Sequence, residues 1–440
     1  MTARVQVIGG GLAGCEAAWQ LARRGVPVTL FEMRPERRSP AHTSDDLAEL
    51  VCSNSLRSDA PENAIGLLHE ELRRAGSLVL SAADANRVPA GSALAVDRSA
   101  FAREIAARIE SEPAITLVRR EVSELPSGLA ILATGPLTSD ALAAEIRALC
   151  GDSLYFYDSI APVVYADSLD HDRLFRASRW RSPEEGLGDY LNSPLSRDAY
   201  YRFVSELVTA EKVPLHAFEK PVYFEACLPI EVMAERGPET LAFGPMKPVG
   251  LADPRGGPAA YAVVQLRQED KAGALYNLVG FQTKLRIGEQ KRIFRTLPGL
   301  EQAVFARFGS VHRNTFIRAP ELLDETLAHR ARPGLHFAGQ MAGVEGYVES
   351  AALGLLAGIF VAAKASGATP LQPPATTALG ALLGHLRHAD PRHFQPMNVS
   401  FGLFPALEGK AGRAGRRERH ARLAARARED LSPWLAATRA

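Results

Sequence analysis

Three groups of residues in this 440-residue chain are of types and spacings that do chemistry. The first is Gly9-Gly10-Gly11-Leu12-Ala13-Gly14, which follows the apolar run Val5-Gln6-Val7-Ile8 and precedes a helical pattern from Cys15 to Arg24. A Gly-x-Gly-x-x-Gly between strand and helix is a dinucleotide signature. Gly9 allows a tight turn, Gly11 lets the backbone approach a pyrophosphate, and Gly14 lets helix and strand pack closely. Free N–H groups at the helix start suit an anion. A second strand, Val26 to Phe31, ends at Glu32, placed to hydrogen-bond a ribose. The motif leaves open which dinucleotide is bound. The second group is the cysteines, Cys15, Cys52, Cys150 and Cys227, with no C-x-x-C and no zinc spacing. Cys52 lies in a polar loop with Ser53, Asn54 and Ser55, whereas a structural cysteine more often has apolar neighbours. Cys227, in Tyr223-Phe224-Glu225-Ala226-Cys227-Leu228-Pro229, reads by composition as core. Cys15 reads as packing and Cys150 as structural. The third group is basic: Lys284 to Arg295, the pair Arg313 and Arg318, and an arginine-rich stretch from Lys410 to Arg428. That stretch reads either as a solvated helix face or as a helix facing RNA.

The length calls for two or more domains. Apolar and charged contents of 46% and 23% describe an ordinary globular protein. A formal net charge of +1 gives no global argument for a nucleic-acid partner, which would have to come from local patches. The cysteines read as reduced thiols of a cytoplasmic protein, and a strand begins at once, which reads as no signal peptide. The apolar run Ala351 to Ala363 is short and contains Gly354 and Gly358, so it reads as a buried helix and no membrane partner is expected. The scattered histidines make no case for a metal. Helices are expected over Glu62–Ala75, Ser99–Ile109 and Ser350–Ala365, and strands over Ile115–Arg119 and Ala260–Leu266. Residues 35–65 read as a long, irregular, functional loop.

Two later landmarks repeat the strand-to-glycine pattern. Gly128 to Pro136 is an apolar strand running into Ala133-Thr134-Gly135. Pro333 to Met341 is another, running into Gly339-Gln340-Met341, followed by Gly343-Val344-Glu345-Gly346-Tyr347. A strand ending in Ala-Thr-Gly is similar to the second signature of FAD enzymes of the glutathione-reductase type, in which a late strand, glycine turn and helix meet the flavin. Most of those carry Gly-Asp where this chain has Gly339-Gln340. An S-adenosylmethionine pocket also uses a glycine turn after a first strand but has no use for the later two.

The chain resembles the bacterial folate- and FAD-dependent tRNA uracil-5-methyltransferase family over nearly its whole length. The resemblance rests on Val7 to Gly14, Glu49 to Arg57, Tyr155 to Pro162, Glu225 to Pro229, Val311 to Phe316, Gly343 to Tyr347 and Phe394 to Pro405. In that family Gln340 is ordinary. The resemblance implies an α/β fold: a Rossmann-like FAD-binding domain of glutathione-reductase type (1–154 and 317–372), an inserted mixed α/β substrate domain (155–316) and a helical basic C-terminal tail (373–440). It implies FAD as cofactor, held by Gly9, Gly10, Gly11, Leu12, Ala13, Gly14, Glu32, Ala133, Thr134, Gly135, Gly339, Gln340, Met341, Gly346 and Tyr347. It implies 5,10-methylenetetrahydrofolate and NAD(P)H as co-substrates, and the T-arm uridine of tRNA as the methyl acceptor. Uracil C5 becomes nucleophilic once a thiolate adds to C6. By resemblance Cys227 is that nucleophile and Cys52 the acid/base that removes the C5 proton, the division of roles being less fixed than the pair. Two rivals stand beside this reading: a flavoprotein that modifies wobble uridines of tRNA, and a non-catalytic flavin- or RNA-binding protein.

Overall fold

A computed structural model of the chain describes residues 4–39, 41–151, 154–181, 188–214, 228–256, 258–408 and 415–438, with the side chains of 154–158, 312, 313 and 315 outside the description. Two sheets organise it. The first has six strands in the order Ala328–His329, Arg332–Phe337, Ala130–Leu132, Val5–Ile8, Val28–Glu32, Ile115–Arg119. All pair in parallel except the short edge strand Ala328–His329. Val5–Ile8 is central, with chain-later strands on both sides. Its carboxyl end is therefore a topological switch point, where open parallel sheets bind ligands.

The second sheet also has six strands, all antiparallel, in the order Phe175–Ala177, Tyr190–Leu195, Ala262–Gln268, Leu275–Leu278, Val163–Tyr165, Phe305–Arg307. It has its own core around Tyr200, Phe203, Tyr276, Phe281 and Phe294. The chain passes between the two units on one antiparallel ribbon, Leu154–Ile160 against Ser310–Phe316, with Leu154 opposite Phe316.

Several elements differ from the sequence expectation at their ends. The first helix spans Leu12–Ala22, not Cys15–Arg24, because Gly11 already serves as its N-cap and the motif residues Leu12 to Gly14 are helical. The second strand is Val28–Glu32, with Val26 and Pro27 ahead of it. Helices Ala64–Arg74 and Arg98–Ser111 lie where expected, the latter capped by Asp97 through Ala100 N–H. A helix at Leu78–Ala85 was not legible. The strand expected from Ala260 runs Ala262–Gln268. The loop 35–65 holds a short strand, Ser55–Ser58.

The apolar helix spans Tyr347–Ala365, three residues longer at its start than expected, so Tyr347 and Glu349 ride on its first turn. It has the length and apolarity of a membrane span, yet it is buried from Val348 to Ala362 apart from Ser350. It packs on the first helix with almost no spacer. A Cβ on Gly354 would lie 2.2 Å from the Ala13 carbonyl oxygen, and one on Gly358 2.8 Å from that of Ala17.

Two buried glutamates cap helices other than their own. Glu16 accepts hydrogen bonds from Ser77 Oγ and Val79 N, at the start of Leu78–Ala85. Glu71 accepts from Ala378 N and Leu379 N, at the start of Ala378–His388. Each carboxyl takes up free N–H groups at a helix start, which favours docking of that helix, while burial raises the pKa of both and brings that of Glu71 to about 8. The chain beyond residue 373 packs into the first core through Leu379, Leu383, Leu423, Leu431 and Trp434.

His336 supplies a pH dependence. It is buried in the strand Arg332–Phe337, with Nε2 3.1 Å from Lys364 Nζ. Burial, then the Lys364 charge, lowers its pKa to about 4. A histidine held neutral in the fold contributes stability above its unfolded pKa of ~6.5, and that stability is lost as pH falls through 4. We expect the wild-type chain to lose about 2 kcal/mol more than His336→Leu between pH 7 and 4.5. Urea midpoints at both pH values check this, and parallel losses in the two chains would exclude His336 as the source.

Candidate active site

The glycine loop leaves the central strand with Gly9 at φ +104°, where a Cβ would meet Ala133 backbone at 2.5 Å. A Cβ on Gly14 would lie 1.8 Å from the Gly9 carbonyl oxygen, and one on Gly10 2.8 Å from Glu32 Oε2. At Gly11 a Cβ would meet nothing. Gly9, Gly10 and Gly14 are thus demanded by the protein's own packing, and Gly11 leaves its side bare toward a cleft. No side chain caps the first helix and its first turn holds no acid. This is the free helix N-terminus that an anion occupies.

The cleft holds about 1060 Å3 of empty space, its open mouth included, a size for a large cofactor. Gly9, Gly10, Gly11, Leu12, Ala13, Glu32, Ala133, Thr134, Gly135, Gly339, Gln340 and Tyr347 line it, drawn from four separate stretches of sequence. Three expected residues stand elsewhere. Gly14 and Met341 shape the cradle from behind, Met341 being buried with its sulfur 3.9 Å from Thr134 Oγ1. Gly346 lines the adjoining chamber.

Glu32 ends its strand with a carboxylate that is already engaged. Oε2 accepts from Gly10 N at 2.9 Å, and Oε1 pairs with Arg34 Nε at 2.8 Å. Burial raises its pKa, but hydrogen bonds from Arg34 and Gly10 and the Arg34 charge outweigh burial and hold it below the ordinary carboxylate value. Arg34 is itself almost fully buried and reaches Glu49 at 3.2 Å. Glu49 also accepts from the backbone and hydroxyls of Thr43 and Ser44. The Glu32–Arg34–Glu49 triad thereby ties the polar loop to the end of the second strand. Arg34 and Glu49 escaped sequence reading because nothing in a polar, irregular stretch signals an arginine at 1% exposure.

Beside the cleft lies a second chamber, which shares Val51, Pro136, Leu137, Gln340, Tyr347 and Ser350 with it. Cys52 lies on its wall. Its Sγ is 2.9 Å from Tyr347 Oη, which also accepts from Cys52 N at 2.8 Å and Ser53 N at 3.2 Å. The Tyr347 hydroxyl is held well above its ordinary pKa, by burial first and the neighbouring Cys52 charge second. Arg98, Arg267 and Arg307 lie within electrostatic range of Cys52, an electropositive setting of the kind a reactive thiolate needs. Arg267 and Arg98 are fixed in turn, Arg267 by Ser53 Oγ and Asn54 Oδ1, Arg98 by Glu269 and the Leu50 carbonyl.

Two further walls come from unexpected places. Arg57, at φ +69°, ion-pairs with buried Glu349 at the start of the core helix. Asn398, from the Phe394–Pro405 segment, donates to the Glu345 carbonyl at 2.7 Å and lines the chamber. The segment taken for a tail therefore contributes to the site. Cys227 lies outside the described residues. Ile230 N donates to Gln282 O, and Thr283 N donates to the carbonyl of Ile160, a chamber residue. The other two cysteines are packing groups. Cys15 is buried behind the glycine loop, where burial, then the Glu32 charge, drives its pKa far up, and burial pushes Cys150 up to about 11.

The tail arginines do not act as one face. Arg428 pairs with Glu70 at 2.8 Å and Arg426 donates to the carbonyls of Pro405 and Ala406. Arg416, Arg417 and Arg419 are exposed at the start of the helix Arg416–Thr438. Arg413 lies outside the described residues.

We expect Glu32→Gln, which keeps an acceptor for Gly10 N but removes the charge facing Arg34, to lower the flavin-to-protein ratio after gel filtration. A ratio equal to the wild type would free Glu32 of any part in cofactor retention.

The comparisons with known proteins identify the family. Residues 4–369 match the family model described as glucose inhibited division protein A. The chain is 61% identical over 438 residues, 99% of this chain and 100% of the relative, to the methylenetetrahydrofolate--tRNA-(uracil-5-)-methyltransferase TrmFO of Geobacter sulfurreducens. Its identity to the protein of the same name from Myxococcus xanthus is 59%, covering 98% of this chain and 94% of that one. Among solved structures, Aquifex aeolicus GidA aligns with 99% of this chain and 75% of its own at a TM-score of 0.68 and 17% identity, a likeness of fold. The chain belongs to the methylenetetrahydrofolate--tRNA-(uracil-5-)-methyltransferase family, within the broader glucose inhibited division protein A group.

Proposed function

We infer that the protein methylates C5 of the T-loop uridine of tRNA, taking the carbon from 5,10-methylenetetrahydrofolate and its electrons from NAD(P)H through FAD. One observation carries the reading: the glycine-lined cleft adjoins the chamber where Cys52 sits against Tyr347, the two sharing Tyr347 and Gln340 in their walls. A dinucleotide cofactor laid along the first would present its far end to the second. The full-length relatives support the same chemistry.

The residues fit FAD. Gly9, Gly10 and Gly11 with the N–H groups of Leu12 and Ala13 would hold the pyrophosphate, and Glu32 the ribose. Ala133 to Gly135, Gly339, Gln340 and Tyr347 would line the flavin side, with Gly14, Met341 and Gly346 shaping the walls. Bound FAD supplies the two electrons that turn a methylene into a methyl, and NAD(P)H restores them.

The chain does the rest. A free thiol of pKa ~8.5 is only a few per cent thiolate at neutral pH. We assign Cys227 to add to uracil C6, making C5 the attacking carbon, Cys52 to take the C5 proton once the methylene is attached, and Cys227 to leave C6 as the C5–C6 double bond re-forms. The arginines around Cys52 favour the anion that accepts that proton, and Tyr347 Oη holds its sulfur in one place. The target base must leave the RNA stack to enter, at a cost of a few kcal/mol. The parallel-sheet unit (1–154 and 317–372) would bind cofactor, the antiparallel unit (155–316) would help present RNA, and the segment from 373 on would close the chamber floor and offer Arg416, Arg417 and Arg419 to phosphates.

The test is isotopic. Label in the folate methylene should reach tRNA only when a reductant is present, and label in the methyl of S-adenosylmethionine should not. Transfer from the latter alone would reject the mechanism.

A further inference from the structure

The second unit carries an exposed aromatic ring that the chamber does not use. Trp180 follows the strand Phe175–Ala177 and is 76% exposed, whereas Trp434 is buried and Trp19 packs against the first core. The ring is nevertheless fixed. Trp180 N donates to the Gly250 carbonyl at 3.0 Å, and the residue is held at φ +63°. A Cβ on Gly250 would stand 2.8–3.1 Å from three atoms of the indole, so one part of the ring lies against bare backbone. A bulky residue at positive φ is strained, and an indole left in water forgoes the gain from burial. Both costs are incurred at one residue.

Among the described residues, the ring's surroundings hold three cations and one carboxylate. Arg179 donates to the carbonyls of Lys247 at 2.7 Å and Val249 at 2.6 Å and to Gln265 Oε1 at 3.1 Å, with no carboxylate partner among the described residues. Its donors are spent on bracing the loop, and its charge remains. Lys247 is exposed and makes no ion pair among the described residues. Arg181 faces Asp189 at 3.7 Å. Lysine is depleted in the cores of protein–protein interfaces, whereas aromatic rings flanked by cations are how proteins hold unpaired nucleotides.

The ring also lies at the Cys52 end of its sheet. Ala177 is opposite Tyr190, and Tyr190 is opposite Arg267, which holds Ser53 beside Cys52. Two strand spacings, one arginine's reach and three residues of chain separate Trp180 from Cys52 by no more than about 30 Å.

We propose that Trp180 is a stacking platform for an unpaired base of the tRNA substrate, with Arg179 and Lys247 supplying the field for its phosphates. This rests on tRNA being the substrate. The experiment uses the full-length, flavin-loaded chain and an unmodified tRNA transcript, and reads binding separately from turnover. Trp180→Ala should weaken tRNA binding and raise KM for tRNA about tenfold, with kcat at saturating tRNA and flavin content unchanged. Trp180→Phe should recover most of the affinity. Wild-type tryptophan emission at the red edge should be quenched by tRNA, and that quench should vanish in Trp180→Phe. Wild-type affinity in Trp180→Ala would overturn the platform, as would a change in self-association with tRNA affinity intact. A wild-type chain that binds tRNA through Trp180 yet never methylates it would sustain the platform and reject the activity beneath it.

Discussion

Cys52→Ala should lower methyl transfer by at least about 10²- to 10⁴-fold, the range a positioned acid or base contributes, while flavin content stays at the wild-type level. Cys52 lines the chamber, not the glycine-lined cleft, so its loss leaves Gly9 to Ala13 and Glu32 untouched. It also leaves the Tyr347 hydroxyl with two backbone donors, Cys52 N and Ser53 N, so the chamber wall should hold its shape. Trapping with 5-fluorouridine in the target position separates the two thiols. A denaturation-resistant adduct should form with Cys52→Ala and be absent with Cys227→Ser. The opposite pattern would exchange their roles.

Arg34→Met should destabilise the fold by about 3–5 kcal/mol at neutral pH, the cost of stranding a buried charge. Here two carboxylates, Glu32 and Glu49, lose the cation between them. The sign of the pH dependence follows from both glutamates. In the wild type their pKa values lie below the ordinary value, although burial alone would raise them, so they contribute stability above about pH 4.3 that fades as pH falls through the folded pKa. Without Arg34, Glu32 loses the partner that outweighs its burial and is pushed upward, whereas Glu49 keeps its hydrogen bonds from Thr43 and Ser44. The deficit should therefore be largest near pH 7 and shrink toward pH 4.5. Denaturant midpoints at both pH values measure it. A deficit that is constant with pH would mean that lost packing, not stranded charge, is responsible.

The glycine landmarks were legible because backbone requirements at a strand-to-helix turn leave few residue choices, and the structure converges three of them on one cleft. Cys52 stood out because its polar neighbours are wrong for a packing cysteine. The boundaries were less legible. The helices Leu12–Ala22 and Tyr347–Ala365 start three residues earlier than their apolar patterns, because glycine N-caps carry no periodic signal. What escaped entirely depends on distant partners. Arg34 and Glu349 are charged residues in the interior, and only tertiary pairing permits that. Arg98, Arg267 and Arg307 come from three separated segments, and no spacing rule joins them to Cys52. The arginine-rich stretch misled in the opposite direction, since Arg426 and Arg428 are committed to the fold.

Gly354 and Gly358 rest on the backbone of Ala13 and Ala17. The helix that carries the glycine loop and the helix that carries Tyr347 are thus keyed together at fixed depth, like two racks meshed without play. A larger side chain at Gly354 or Gly358 would separate the helices, and Tyr347 would shift against Cys52 although no residue lining the cleft had changed. Mutational scans of the chain should accordingly find a second zone of intolerance, buried one to three helical turns behind the cleft, whose variants keep their flavin and lose their turnover. Anyone refitting the cleft for another cofactor would have to recut both helices together.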